Sequence, residues 1–313
     1  MAEYGGPAIW RPAVKGTFVA RLGVLTTEFE RLSLGATLDA VVGHHIGAVQ
    51  FQLGSAVPSI PLQTSLRMGL DVLGEYLNPG LCLDIRDQLA KRQLVMAAVD
   101  GTFNMVHPDE KRRWTNLGYL QKLVESCGAL GTSVVTLCTG SRDEIMWQFH
   151  PDNDNPEAMS DLVAVMKAAA QTAEEYGVTL AFEPEVNNVI SSPEKARQLI
   201  DEVGSAWVKV VMDPANIFQD GELPHMRGRL GDAFALLGGD IALAHAKDLD
   251  HDGEAGQLAA GEGLLDYPLY LSLLQRSGFD GTIVLHQMHH LGDAEIDSRF
   301  AYVRRAAPAG FVT

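Results

Sequence analysis

The sequence predicts an α/β protein folded as a single (β/α)8 barrel, and three observations carry that reading. Eight short apolar runs of strand length alternate with stretches of helical periodicity. No linker or low-complexity segment interrupts the alternation, so one domain is expected over residues 1–313, with a leader at residues 1–16. No Gly-x-Gly-x-x-Gly follows any run, which argues against an open doubly wound sheet. A chain of 313 residues is long for one domain, yet barrels of this class run to about 250 residues or more.

The runs follow in order. VARLGVL (19–25) comes after the leader and GAVQFQL (47–53) is second. LVMAAVD (94–100) and SVVTLCT (133–139) have the β-branched, apolar make-up of strands covered on both faces. VTLAFEP (178–184), VKVVMDP (208–214), IALAHAK (241–247) and TIVLHQ (282–287) complete the eight. Between them, residues 156–177 and 192–204 open on Ser, Pro or Glu start signals and close on glycine, as helices do. The longer connections, around 53–78 and 140–156, are expected as loops on the catalytic face.

A composition of 46% hydrophobic and 20% charged residues is that of a globular protein with a sizeable core. Forty acidic against twenty-four basic residues give a net charge of −16, a field that repels phosphate backbones, so nucleic acid is not an expected partner. The apolar runs are too short to span a membrane. Cys82, Cys127 and Cys138 lack metal or redox spacing and read as buried thiols; with no signal-like N-terminus, a reducing cytoplasm is the expected compartment.

In a parallel barrel each strand stays apolar until it emerges, and active sites lie at the C-terminal strand ends. Glu183, Asp213, His245 and His286 each occupy the first ionisable position after an apolar run, one βα unit apart. If all four point inward they converge on one small space. Two carboxylates and two imidazoles suit Mn²⁺, Zn²⁺, Co²⁺ or Fe²⁺ better than Ca²⁺. Taken singly, each has an ordinary alternative: Asp213 as a helix cap, His245 as a paired core residue, His286 as a loop residue.

AFEPEVNN, VVMDPANIF, LAHAKD and GEGLLDYPLYLSLLQRSGFDGTIVL together resemble the xylose-isomerase-like barrels of sugar isomerases and epimerases, over nearly the whole chain. TFNMVHPD and TGSRDEIMWQFHPDN resemble a sugar phosphate isomerase/epimerase type within that superfamily. The resemblance implies one divalent metal ion held by Glu183, Asp213 and His245 with a fourth ligand from strand eight. The chain departs from the pattern in two places. His286 stands where such epimerases end strand eight with a glutamate, so a symmetric two-glutamate proton shuttle is not expected. DPAN places Asn216 where some epimerases have a histidine, which makes Asn216 a substrate contact rather than a ligand.

Glu183, by resemblance, or Glu185 on the same side of the strand, is the candidate base. His150 and Lys247 are candidates for proton transfer. Asn104, His107, Arg142, Asn187 and Asp248 are candidate substrate contacts, Arg142 for a carboxylate or phosphate. Each has a bland counterpart: HPD around His107 and His150 is a turn and cap signal, and Lys247 pairs readily with Asp248. Three function classes follow. The favoured one is a metal-dependent isomerase or epimerase working through an enediolate on a small carbohydrate. The others are a keto-sugar lyase, such as a dehydratase or a C-glycoside-cleaving subunit, and a non-catalytic metal-binding subunit. A homo-oligomer is left open.

Overall fold

The computed structural model describes residues 18–29 and 33–313; the expected leader at residues 1–16 lies outside them. Eight parallel strands close on themselves: β1 (Arg21–Leu25), β2 (Ala48–Phe51), β3 (Val95–Asp100), β4 (Val134–Cys138), β5 (Thr179–Glu183), β6 (Val208–Met212), β7 (Ile241–Asp248) and the last barrel strand, β9 (Thr282–Leu285). Closure is made by β9, which pairs with β1 at Arg21↔Thr282 and with β7 at Ala244↔Ile283. A two-residue strand, β8 (Leu258–Ala259), folds back antiparallel on the end of β7 and is not part of the barrel.

Ten α-helices surround the strands among the described residues: α1 (Leu34–Gly43), α2 (Leu62–Met68), α3 (Leu70–Leu73), α4 (Pro79–Lys91), α5 (Glu110–Leu130), α6 (Pro156–Tyr176), α7 (Pro193–Val203), α8 (Met226–Leu237), α9 (Tyr267–Arg276) and α10 (Asp293–Ala306). The expected start and stop signals act as caps. Ser192 accepts from the Lys195 amide at the head of α7, and Gly177 and Gly204 end α6 and α7 in the left-handed conformation. The stretch 53–78 is not a plain loop: it holds α2 and α3, which stand over the barrel mouth. No helix among the described residues is long and apolar enough to cross a membrane.

Strand alternation sorts the side chains into two layers. Leu180 and Phe182, Val208 and Val210, Ala244 and Ala246, Ile283 and Leu285 point outward into the large core beneath the helices. Ala98, Ala181, Val211, Leu243 and Val284 point inward and form a small cluster that fills the barrel floor. With a period of two, the inward positions above that floor are Asp100, Glu183, Asp213, His245 and His286. The packing that makes the barrel solid therefore also aims five titratable groups at its open end.

Candidate metal centre

Asp213 is the hub. Its carboxylate is fully buried and caps the short 3-10 turn Pro214–Asn216, accepting from the Ala215 amide at 3.0 Å through Oδ1. Its Oδ2 lies 3.3 Å from His286 Nε2, 3.6 Å from His245 Nδ1 and 3.6 Å from Lys247 Nζ. Burial alone would raise this carboxyl, but the Lys247 charge and the two imidazoles outweigh it and hold it well below the usual carboxylate range.

On the neighbouring strand, His245 is oriented from behind. Gln50 donates its amide to Thr136 Oγ1 at 3.1 Å, so its Oε1 is left to accept from His245 Nε2 at 2.8 Å. That bond places a proton on Nε2 and turns Nδ1 toward Asp213 and toward Glu183 Oε2, 3.5 Å away. Nδ1 is buried and has no hydrogen-bond partner. Burial by itself would lower the His245 ring, yet the Glu183 and Asp213 carboxylates raise it to about 9, so the site draws positive charge to this nitrogen.

Glu183 completes the carboxylate pair and is steadied by Asn216, whose Nδ2 donates to Oε1 at 2.6 Å. His286 sits edge-to-face with His245, ring centroids 4.6 Å apart, and burial lowers it to about 4, which keeps it neutral. One ligand atom each from Asp213, His245 and His286 lies within 4.8 Å of the others. An orphaned imidazole nitrogen facing two carboxylates, beside a second neutral imidazole, fits a divalent cation of the borderline-soft kind.

The centre opens into a cavity of about 630 Å³ at the C-terminal mouth, large enough for a small ligand. Glu185, Lys247, Asn187 and Asn216 line it as well. Burial pushes Glu185 up to about 8, only partly offset by Lys247, so it carries a proton near neutral pH. Asn216 Oδ1 has no partner there.

The other candidates are committed elsewhere. Asn104 spends both ends of its amide on two loops, donating to the Ser141 and Asp143 carbonyls and accepting from the Ser141 amide of the β4–α6 loop and from the Val106 amide of its own β3–α5 loop. Arg142 donates to Val106 O and pairs with Asp161 at 2.7 Å, away from the cavity. His150 caps the turn Pro151–Asp154 through Nδ1. Asp248 accepts from the amides of Leu249, Gly261 and Leu265 and clamps the loop after β7. His107 faces a second, adjacent cavity.

Several residues of the site were missed by the sequence reading. Asp100 ends LVMAAVD as Glu183 ends TLAFE, so the same strand-end rule applies to it. Gln50 and Gln52 alternate in GAVQFQL and both face the cavity, with Gln52 donating to Asp100 at 2.8 Å. Trp147 gave no signal; it lines the cavity from the β4–α6 loop.

Comparisons with known proteins agree on the fold. The family model for the xylose isomerase-like TIM barrel matches residues 66–304, and the chain belongs to that family. Among solved structures, 3-keto-D-glucoside 4-epimerase YcjR from E. coli superposes with a TM-score of 0.67 at 15% identity, covering 91% of this chain and 99% of that one. L-ribulose 3-epimerase gives 0.64 at 14%, covering 90% and 86%. IolI with a bound zinc atom gives 0.64 at 18%, covering 90% and 96%.

Proposed function

We propose that this protein is a divalent-metal-dependent isomerase or epimerase of a ketose, aldose or related keto-sugar in a reducing cytoplasm, the ion being held by Glu183, Asp213, His245 and His286. The observation that carries it is the buried, partnerless His245 Nδ1 between two carboxylates, with Gln50 holding the ring from the other side. The sugar epimerases and the zinc-bound barrel among its structural neighbours support the same reading.

A divalent ion held by these four side chains would supply Lewis-acid stabilisation of the negative charge that develops next to a substrate carbonyl, worth several kcal/mol. The chain's own groups do the rest. Glu183 takes the proton from the carbon beside the carbonyl, and Glu185, protonated near neutral pH, supplies one in return. Asn216 Oδ1 and Asn187 meet substrate hydroxyls, and Lys247 keeps Asp213 ionised. The free thiols Cys82, Cys127 and Cys138 are all buried, as a reducing compartment allows.

The test is α-proton exchange in D₂O, followed by NMR with D-fructose and a panel of keto-sugars. Zinc- or manganese-loaded protein should exchange the proton and the Asp213→Ala variant should not; no exchange with any sugar would remove the proposal. His286 favours one second reading. With an imidazole on the last strand in place of a glutamate, single-base elimination becomes available, and a lyase would show loss of water or of an aglycone by mass spectrometry.

A further inference from the structure

The two imidazoles of the centre are oriented in different ways. Gln50 holds His245 by the ring nitrogen that faces away from the carboxylates. A histidine ligand is normally fixed by such a bond to its other nitrogen. Among the described residues the His286 ring has one hydrogen-bond partner, Asp213, and it is reached through Nε2. With no partner on Nδ1, the direction of this ring is set by its edge-to-face contact with His245 and by the backbone that carries it.

That backbone is gripped from a different strand. β9 ends at Leu285, and just past His286 the chain turns through Gln287 at φ +64°, a left-handed conformation that strains a residue with a side chain. Glu28 stands on the 3-10 turn Thr26–Phe29 that follows β1, and it reaches across the barrel closure to this bend. Its Oε1 accepts the Gln287 amide at 3.1 Å and its Oε2 the Met288 amide at 2.5 Å. Burial raises the Glu28 carboxyl, while these two amides and that of His289 pull it back down. Both oxygens face N–H donors, which the ionised form alone can satisfy in full.

Both ends of the grip are firmly mounted. Phe29, next to Glu28, is fully buried, and Thr26 Oγ1 accepts the Gln52 amide and the Ser55 hydroxyl, each at 3.0 Å, which ties the turn to the end of β2. Met288 is fully buried on the other side. Glu28 itself lies outside the lining of the metal cavity, so it acts on the centre only through the chain it holds.

We infer that Glu28 is the positioning residue for His286: by taking the two amides that follow the histidine, its carboxylate fixes the strand end so that Nε2 is presented to the metal centre. This rests on the reading of His286 as a metal ligand and gives the β1–α1 turn a part in metal affinity.

The test is a double-mutant cycle read by cobalt(II) titration of the full chain at neutral pH, with the d–d absorption reporting the ligand geometry and a competing chelator the affinity. Glu28→Gln is nearly isosteric but turns an NH₂ group toward one of the two amides. It should weaken cobalt binding by about tenfold or more, as outer-shell partners do, and move the d–d bands toward those of His286→Ala. In the His286→Ala background the same substitution should change the affinity by less than about twofold, because the ligand it positions is gone. Should Glu28→Gln fail to fold, Glu28→Asp, which draws the carboxylate back by one methylene, carries the same cycle.

A carboxylate that only stabilises the fold would lower the melting temperature of the metal-free protein and leave the cycle additive. Unchanged cobalt affinity and d–d bands in Glu28→Gln, or an equal loss in both backgrounds, would therefore overturn the assignment and leave the metal centre intact. A His286→Ala variant that binds cobalt as tightly as the wild type would overturn the ligand reading and this inference together.

Discussion

Among single side chains, His286 and Gln50 decide most about the centre. His286→Ala removes one of the four proposed ligands and should weaken zinc binding by at least about tenfold, whereas His289→Ala and His290→Ala, on the exposed loop beyond the strand, should leave it unchanged. Competition against a chromogenic chelator measures both. Gln50→Leu keeps every ligand but frees the His245 ring, and a loss of roughly 10–100-fold is expected from the outer-shell bond alone. Asp100 makes a different prediction. Burial raises its carboxyl to about 6 despite hydrogen bonds from Thr102 and Thr136. The folded protein therefore holds this proton where the unfolded chain has released it, so stability falls as pH rises from about 4 to about 6, by on the order of 3 kcal/mol. Urea unfolding across that window should show the fall in the wild type, and Asp100→Asn should reduce it.

The loops over the mouth are held by a few specific backbone contacts. Gly69, between α2 and α3, has φ +52°, and a Cβ there would stand 1.9 Å from Thr102 O, the carbonyl that accepts the Leu70 amide. Gly69→Ala is therefore expected to cost at least about 2 kcal/mol in urea unfolding. The loop after β7 hangs on Asp248, whose carboxylate takes three backbone amides. Asp248→Ala leaves those N–H groups without an acceptor, and limited proteolysis should then cut within residues 249–265, which resist in the wild type.

For the molecule as a whole, the four proposed ligands stand on β5, β6, β7 and β9 or immediately after them, which run side by side around half the barrel. A ligand that binds only the folded state ties these strands together. Free zinc at a hundred times its dissociation constant should stabilise the protein by about 2.7 kcal/mol, read as a rise in melting temperature. Asp213→Ala should abolish the rise, and an unchanged rise in that variant would place the ion elsewhere.

The barrel was legible in the order of its apolar runs because strand and helix periodicities are local properties, carried within ten or twenty residues. The inward direction of Glu183, Asp213, His245 and His286 was legible for the same reason: a period of two places them on the side of Ala181, Val211, Leu243 and Val284. Parallel strands all leave the barrel at one end, so four strand ends become one site. No such rule reaches the bond from Gln50 to His245, which joins residues 195 positions apart. Nor does it separate Arg142, held by Asp161, from a substrate contact, or bring His107 and Asn116 into a cavity walled by α2. Those arrangements depend on how distant loops settle over the mouth, and loop packing is set by contacts between segments whose spacing along the chain carries no trace of them.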